Sequence, residues 1–276
     1  LVVDGNDEVF ERVREDFGAR DEVVLHCNDE NQGISYSRTK GAELASGDIV
    51  AFIDDDATAE EDWVAQLVEV YEETDAIAVG GDVVPDWQTE KPDFFPAEFY
   101  WLVGCVEPGF AEDGEEVRNT YGSNISYRRE QFLEVGGYDP NTGRKGDKHL
   151  QAHEAPVGIR LREEFGRGMV FTRDAKVHHK LFDYRGEFGW LVFRSFWQGY
   201  SKRVMDLLYP NAEDNKSSYL KQLLTRFVPK RVKNLVRSPS LVRLQQLLAI
   251  FVFTAAVGLG YVYAMATPDL VEKANS

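Results

Sequence analysis

The chain reads as an α/β domain with a mainly parallel sheet and helices on both faces, followed by helices of membrane character. Three observations carry that reading. Short β-branched runs alternate with helical patterns through the first eighty residues, and such alternation feeds parallel pairing through crossover helices. The apolar run 49–53 ends in three consecutive carboxylates, Asp54, Asp55 and Asp56. Residues 215–268 hold 8 basic and no acidic residues, and within them 247–266 carry no charge.

The elements follow in order. Residues 1–3 read as the exit of a strand and Asp4-Gly5-Asn6 as its turn. A preceding strand and helix are expected ahead of such an opening. Val9, Phe10, Val13 and Phe17 recur at helical spacing and predict a helix over 8–17. Residues 23–25 predict a strand, Asn31-Gln32-Gly33 a turn, and 34–45 a helix carrying Arg38 and Lys40 that Gly47 stops. The run 49–53 reads as a buried strand. A helix over 60–72 and a strand over 76–79, closed by Gly80-Gly81, come next. Residues 85–110 interleave four prolines with aromatics. They form either a loop over a site or an insertion covering the core. Residues 121–126 predict a strand returning to the sheet, and 129–135 a short helix ended by Gly136-Gly137. A helix over 150–164, with Pro156 near its start, precedes a strand over 170–177 that runs into His178-His179.

Composition divides the chain further. The whole carries a net charge of −16 over 276 residues, which argues against a nucleic-acid partner. Residues 1–214 hold 22 basic and 45 acidic residues, a balance suited to a solvated face at high salt. The basic run after them suits anionic lipid head groups. Cys27 and Cys105 form no disulfide framework and fit a reducing compartment. The expected units are a catalytic domain over 1–185, amphipathic basic helices over 186–246, a membrane span over 247–266 and a short tail over 267–276. The aromatics and cations of 187–208 suit either a membrane interface or packing on the domain. A span of 20 residues covers roughly 30 Å, a bilayer core. The basic flank places the domain on the cytoplasmic side of a single-pass cell-membrane protein.

The acid triplet sits where open α/β sheets bind ligands, beyond the carboxyl end of a strand. Adjacent carboxylates repel unless a cation lies among them, and hard cations such as Mg²⁺ or Mn²⁺ take oxygen ligands. A diphosphate substrate would complete such a site. The alternative is an acidic turn on a salt-adapted surface.

The run Asn31-x-Gly33-x-x-x-x-Arg38, Gly47-Asp48 and the strand ending Asp54-Asp55-Asp56 resemble the family 2 glycosyltransferases with the GT-A fold. So do Gly122-Ser123-Asn124 before Arg128-Arg129, and Val135-Gly136-Gly137-Tyr138-Asp139. The resemblance covers about residues 1–180, and the family's first strand falls before residue 1. It implies a nucleotide-sugar site of Asp4, Asn31, Gly33, Arg38, Asp54 and Asp55. A divalent metal is implied at Asp54, Asp56 and His179, with His178 the alternative ring. The implied acceptor side is Asn124, Arg128, Arg129 and His153. The family's acidic pair before an Arg-Leu reads His153-Glu154 before Arg160-Leu161, which makes Glu154 the implied catalytic base. Transfer with inversion is a single displacement, so the acceptor hydroxyl must lose its proton as it attacks. A salt bridge from Glu154 to Arg160 or Lys148 is the plain structural alternative.

Acidic composition, a basic juxtamembrane run and a C-terminal span also resemble the membrane-bound hexuronic-acid transferases of salt-adapted archaea. That resemblance implies a UDP-glucuronate donor and a dolichol-phosphate-linked glycan acceptor. It further implies a step in protein N-glycosylation of the S-layer glycoprotein, alongside other enzymes of that route. Arg128, Arg129, Arg144 and Lys145 are the candidate partners for a hexuronate carboxylate. The rival readings are a polysaccharide transferase using another nucleotide sugar and, from another class, an inactive sugar-nucleotide binder. A nucleotidyltransferase would need a Gly- and Lys-rich phosphate loop, and none stands at the visible start.

Overall fold

A computed structural model of the chain describes residues 1–140, 154–209 and 216–266. Strand β1 (Val2–Val3) leads through Asp4-Gly5 into α1 (Asp7–Phe17), where the Asn6 side chain accepts from the Val9 N–H at 3.0 Å and caps the helix. Strand β2 (His26–Cys27) pairs parallel with β1. It starts later than the 23–25 reading because Val24 stays exposed outside the sheet. Helix α2 (Ile34–Leu44), strands β3 (Ile49–Phe52) and β4 (Ala57–Ala59) and helix α3 (Trp63–Glu73) follow.

Strand β5 (Ala78–Trp87) runs straight through Gly80-Gly81, where the sequence reading ended it. Those glycines serve close approach rather than termination. A Cβ on Gly80 would lie 2.0 Å from Thr120 Oγ1, and one on Gly81 2.0 Å from the Ala175 carbonyl. A bulge after Gly81 then resets the register of β5 on its neighbour. Beyond come β6 (Glu116–Val117), β7 (Ile125–Arg128), α4 (Arg129–Glu134), α5 (Glu154–Phe165), β8 (Met169–Leu181), α6 (Phe188–Leu208), α7 (Lys216–Gln222), α8 (Val228–Arg237) and α9 (Leu241–Ala266).

The larger sheet has the order β3-β7-β5-β8-β4, with β6 also on β8. Strands β3, β5 and β8 point one way, and β7 lies reversed between β3 and β5. Strands β4 and β6 pair antiparallel with β8. The sheet is therefore mixed: the βα alternation yields its parallel members, and β7 returns between two of them. Strand β3 is also less enclosed than expected, with only Val50 buried. The registers gather three pieces at one end. Phe52 pairs with Ile125, so the acid tip meets the turn that opens β7. Ala57 pairs with His179, so the tip also meets β8.

One core layer interlocks Phe52, Tyr127, Phe132 and Tyr138, with Tyr127 and Phe132 stacked at 4.8 Å. A second joins Phe95, Phe99 and Leu102 to Leu191 of α6 and Phe253 of α9. The proline-rich segment thus covers the core, and its 3₁₀ turn Ala97–Val103 also reaches the cavity described below. Arg231, within the basic run, is committed to protein: its guanidinium grips both oxygens of buried Glu98 at 2.8 and 2.6 Å.

Helix α9 begins at Leu241, ahead of the uncharged stretch, and docks on the domain through Ile250 and Phe253. It is long and apolar enough to cross a membrane, about 39 Å at 1.5 Å per residue. It crosses α6 at two glycines. A Cβ on Gly199 would lie 1.9 Å from the Val257 carbonyl, and one on Gly260 1.8 Å from that of Phe196. Small residues let helix backbones meet this way. Gly260→Ala should therefore destabilise the protein by about 1–3 kcal/mol, read as a lowered Tm in detergent. Gly258→Ala, where a Cβ meets nothing within 4 Å, should be neutral or slightly stabilising.

Candidate active site

Beyond β3 the chain reverses tightly, with the Ala57 N–H donating to the Asp54 carbonyl at 3.1 Å before β4 joins β8. The turn sets Asp54, Asp55 and Asp56 on the wall of a cavity of about 1520 Å³. A single small-ligand pocket holds roughly 300–1,000 Å³, so this one has room for two substrates.

Arg38 projects from α2 into that wall. Its guanidinium pairs with Asp54 and donates from Nη2 to the Gly122 carbonyl at 3.0 Å. It also rests against the rings of Phe52 and Tyr138 at 5.8 and 5.6 Å. From the same turn, the Gly122 N–H donates to Glu154 Oε1 at 3.0 Å. A Cβ on Gly122 would stand 2.4 Å from that oxygen and 2.5 Å from Arg38 Nη1. Glycine is thus the residue that lets cation and carboxylate converge on one peptide. Burial works against the charge on Arg38, yet Tyr138, Asp54 and Glu154 together raise its pKa. Glu154 lies on the cavity wall, and Arg160 turns instead to the Gly137 carbonyl.

On the other side of the triplet, Asp56 Oδ2 accepts from Arg185 Nη2 at 2.7 Å. Asp56 Oδ1 lies 3.2 Å from His179 Nε2, and Arg185 Nη1 lies 2.9 Å from that same nitrogen. A single Nε2 serves one neighbour at a time: bare, it accepts from Arg185; protonated, it donates to Asp56. The His179 hydrogen bond and the charges of His179 and Arg185 hold Asp56 at a pKa of about 2, against the opposing effect of burial. His178 points to the other face and meets Glu60 at 3.1 Å, so His179 is the ring beside the acids.

The remaining sequence-derived positions fall in different places. Asp4 accepts from Asn28 Nδ2, the Gln32 N–H and the Gly33 N–H at 2.8–2.9 Å. Burial would raise its pKa, but those bonds win and lower it. Asp4 thus fastens the 28–33 loop and the start of α2, and Asp4, Asn31 and Gly33 stand off the cavity wall. Asn124, expected on the acceptor side, lies in the core. It is fully buried, donates to the Asp82 and Ala175 carbonyls and accepts from Trp63 Nε1, all at 2.8 Å. Arg128 and Arg129, expected there as well, lie elsewhere. Arg128 pairs with Ile49 at the start of β3, the end opposite the acids, and donates to the Ala76 and Tyr71 carbonyls. The Arg129 N–H donates to the Asp48 carbonyl at that same far end. His153, Arg144 and Lys145 lie outside the described residues. Arg185 escaped the sequence reading. It sits in a 3₁₀ turn after β8, and its only signal was a cation six positions beyond His179.

Comparison with known proteins follows the same lines. Residues 1–136 match the "Glycosyl transferase family 2" profile. The "Glucosyl-dolichyl phosphate glucuronosyltransferase" of Haloferax volcanii is 69% identical over 277 residues, covering 100% of this chain and 88% of the relative. The succinoglycan biosynthesis protein ExoM of Rhizobium meliloti is 28% identical over 187 residues, 65% of this chain and 54% of ExoM. Among solved structures, a mannosyltransferase of Pyrobaculum calidifontis in complex with GDP-Man and Mn²⁺ superposes with a TM-score of 0.55 at 16% identity. That superposition covers 99% of this chain and 78% of the mannosyltransferase, and it shows a shared fold. The chain is a glycosyltransferase and belongs to glycosyltransferase family 2.

Proposed function

We propose that the protein transfers glucuronate, with inversion, from a UDP-sugar to a dolichol-phosphate-linked glycan at the cytoplasmic face of the membrane, as a step of protein N-glycosylation. The observation that carries this reading is that Arg38 and Gly122 bring Asp54 and Glu154 together on one cavity wall. The Haloferax volcanii relative supports both sugar and acceptor by its name, and α9 supports a membrane location.

The residues fit a divalent metal. Asp56 and His179 present oxygen and nitrogen donors side by side, a set suited to Mn²⁺ or Mg²⁺. Among the described residues no three Asp, Glu, His or Cys side chains gather as a ready-made cage. That suits a cation bound by one or two protein ligands and completed by substrate phosphates and water. When bound, the metal supplies charge neutralisation for the leaving diphosphate.

The protein's own groups do the rest. Asp54, fixed by Arg38, orients the nucleotide sugar beside the triplet. Glu154, oriented by the Gly122 N–H, takes the proton from the acceptor hydroxyl as that oxygen attacks the anomeric carbon. Arg185 adds positive charge where the diphosphate departs.

Glu154→Gln should lose at least ~10²-fold in kcat while keeping nucleotide-sugar binding by calorimetry. Retention of full activity would remove Glu154 as the base. Asp56 has a folded pKa below its unfolded value of about 3.9. Its contribution to stability is therefore present above that value and lost as pH falls towards 2. The stability difference between wild type and Asp56→Asn should shrink as pH falls from about 4 towards 2, followed by denaturant melts across pH.

A further inference from the structure

The cavity does not end at the acids. Its far wall is one stripe of α6, where Trp190, Arg194, Gln198, Ser201, Lys202 and Met205 all face inward. Trp190, Arg194, Gln198, Lys202 and Met205 recur at three- and four-residue steps, the signature of a single helical face, and Ser201 flanks it. Beside them, across the seam where the two helices pack, runs a stripe of α9, from Thr254 through Val257 and Gly258 to Tyr261. The site thus opens directly into the groove between the helix fit to cross a membrane and the helix packed along it.

Two contacts orient α6 along the site. At one end Trp190 packs against Tyr184, next to Arg185 and the acids. At the other Met205 packs with Ala155, the residue after Glu154. Lys202 lies one turn before Met205, on the same stripe, and so stands on the Glu154 side of the cavity. The two cations of the stripe differ in commitment. Arg194 donates from Nε to the Leu102 carbonyl at 3.2 Å and lies over the Trp190 ring at 5.8 Å. Lys202 is half-buried, and it makes no hydrogen bond or ion pair with any described residue. An ammonium on the cavity wall with no counter-charge among the described residues is a ready partner for an anion.

We propose that Lys202 binds the phosphate of the lipid-linked acceptor, with the isoprenoid chain lying in the α6–α9 groove and the acceptor sugar reaching from that phosphate to Glu154. The inference rests on the lipid-phosphate reading of the acceptor given above. Charge selects a phosphate at Lys202, and the apolar wall of Val257, Gly258 and Val262 selects a hydrocarbon rather than a soluble nucleotide.

The test uses the full chain in detergent, a short-chain isoprenyl-phosphate-linked glucose as acceptor, and an alkyl glucoside without phosphate as comparator. Lys202→Ala should raise the KM for the phosphate-bearing acceptor at least tenfold and leave the donor KM unchanged. Lys202→Arg should restore most of the loss. Wild type and Lys202→Ala should use the alkyl glucoside equally. An unchanged KM for the phosphate acceptor, or an equal loss on both acceptors, would overturn the role of Lys202. Absence of wild-type transfer to the phosphate acceptor would instead count against the functional reading. In that event, binding of the bare isoprenyl phosphate followed by ³¹P NMR still decides the point: weaker binding to Lys202→Ala supports the site, and equal binding removes it.

Discussion

The site depends on a single buried cation. Arg38 leaves α2, pairs with the acid at the tip of β3 and holds the carbonyl of the turn that opens β7. That turn in turn holds Glu154 at the start of α5. Three segments distant in sequence are thus fixed around one guanidinium. Its planar fork can serve several oxygens at once, which a lysine ammonium cannot do with the same geometry. The aromatic rings of Phe52 and Tyr138 cover the guanidinium, while Asp54 stays open to the cavity. Gly122 is the steric counterpart: any side chain there would collide with both charges.

Around this centre the two flanks divide the work. Towards β8, Asp56, His179 and Arg185 form a charged cluster suited to a diphosphate and its cation. Towards α6 and α9, the wall sets Val257, Gly258 and Val262 of α9 beside a stripe of α6 that carries Arg194, Gln198 and Lys202. A soluble, highly charged donor and a lipid-linked acceptor call for those two environments. The fold supplies them because the second core layer ties the proline-rich segment, α6 and α9 to the sheet. The helix fit to span a membrane is therefore part of the cavity wall, not a tether beyond it.

Much of this was legible in the sequence, for identifiable reasons. The helix at 63–73 announces itself by apolar spacing, the helix at 34–44 by the turn before it and Gly47 after it, and the strand 49–52 by its β-branched run. The acid triplet stands out at the end of an apolar strand, the family resemblance points to Arg38, Glu154 and His179, and all of them line the cavity. The placements that spacing did not foretell have a common cause: spacing along the chain does not say which end of a strand a residue reaches. Arg128 and Arg129 follow the Gly122-Ser123-Asn124 turn closely, yet β7 carries them to the opposite end of β3. Asn124 looked like a polar site residue, but its amide brackets β5, β8 and α3 together. Gly80-Gly81 read as a stop because the partners that need their missing side chains, Thr120 and Ala175, lie far along the chain. Arg185 had no local signal, since only the β4–β8 register brings its turn to Asp56.

The most direct measurement presents the full chain, in membranes with Mn²⁺, with a panel of radiolabelled uridine-diphosphate sugars and follows label into a chloroform-soluble, dolichol-phosphate-linked glycan. The account predicts label from the glucuronate donor and none from the others. Label from a different sugar would contradict the assigned donor. Absence of label from every donor, with nucleotide binding intact, would contradict the claim that Asp54, Arg38 and Glu154 form a catalytic site for this acceptor.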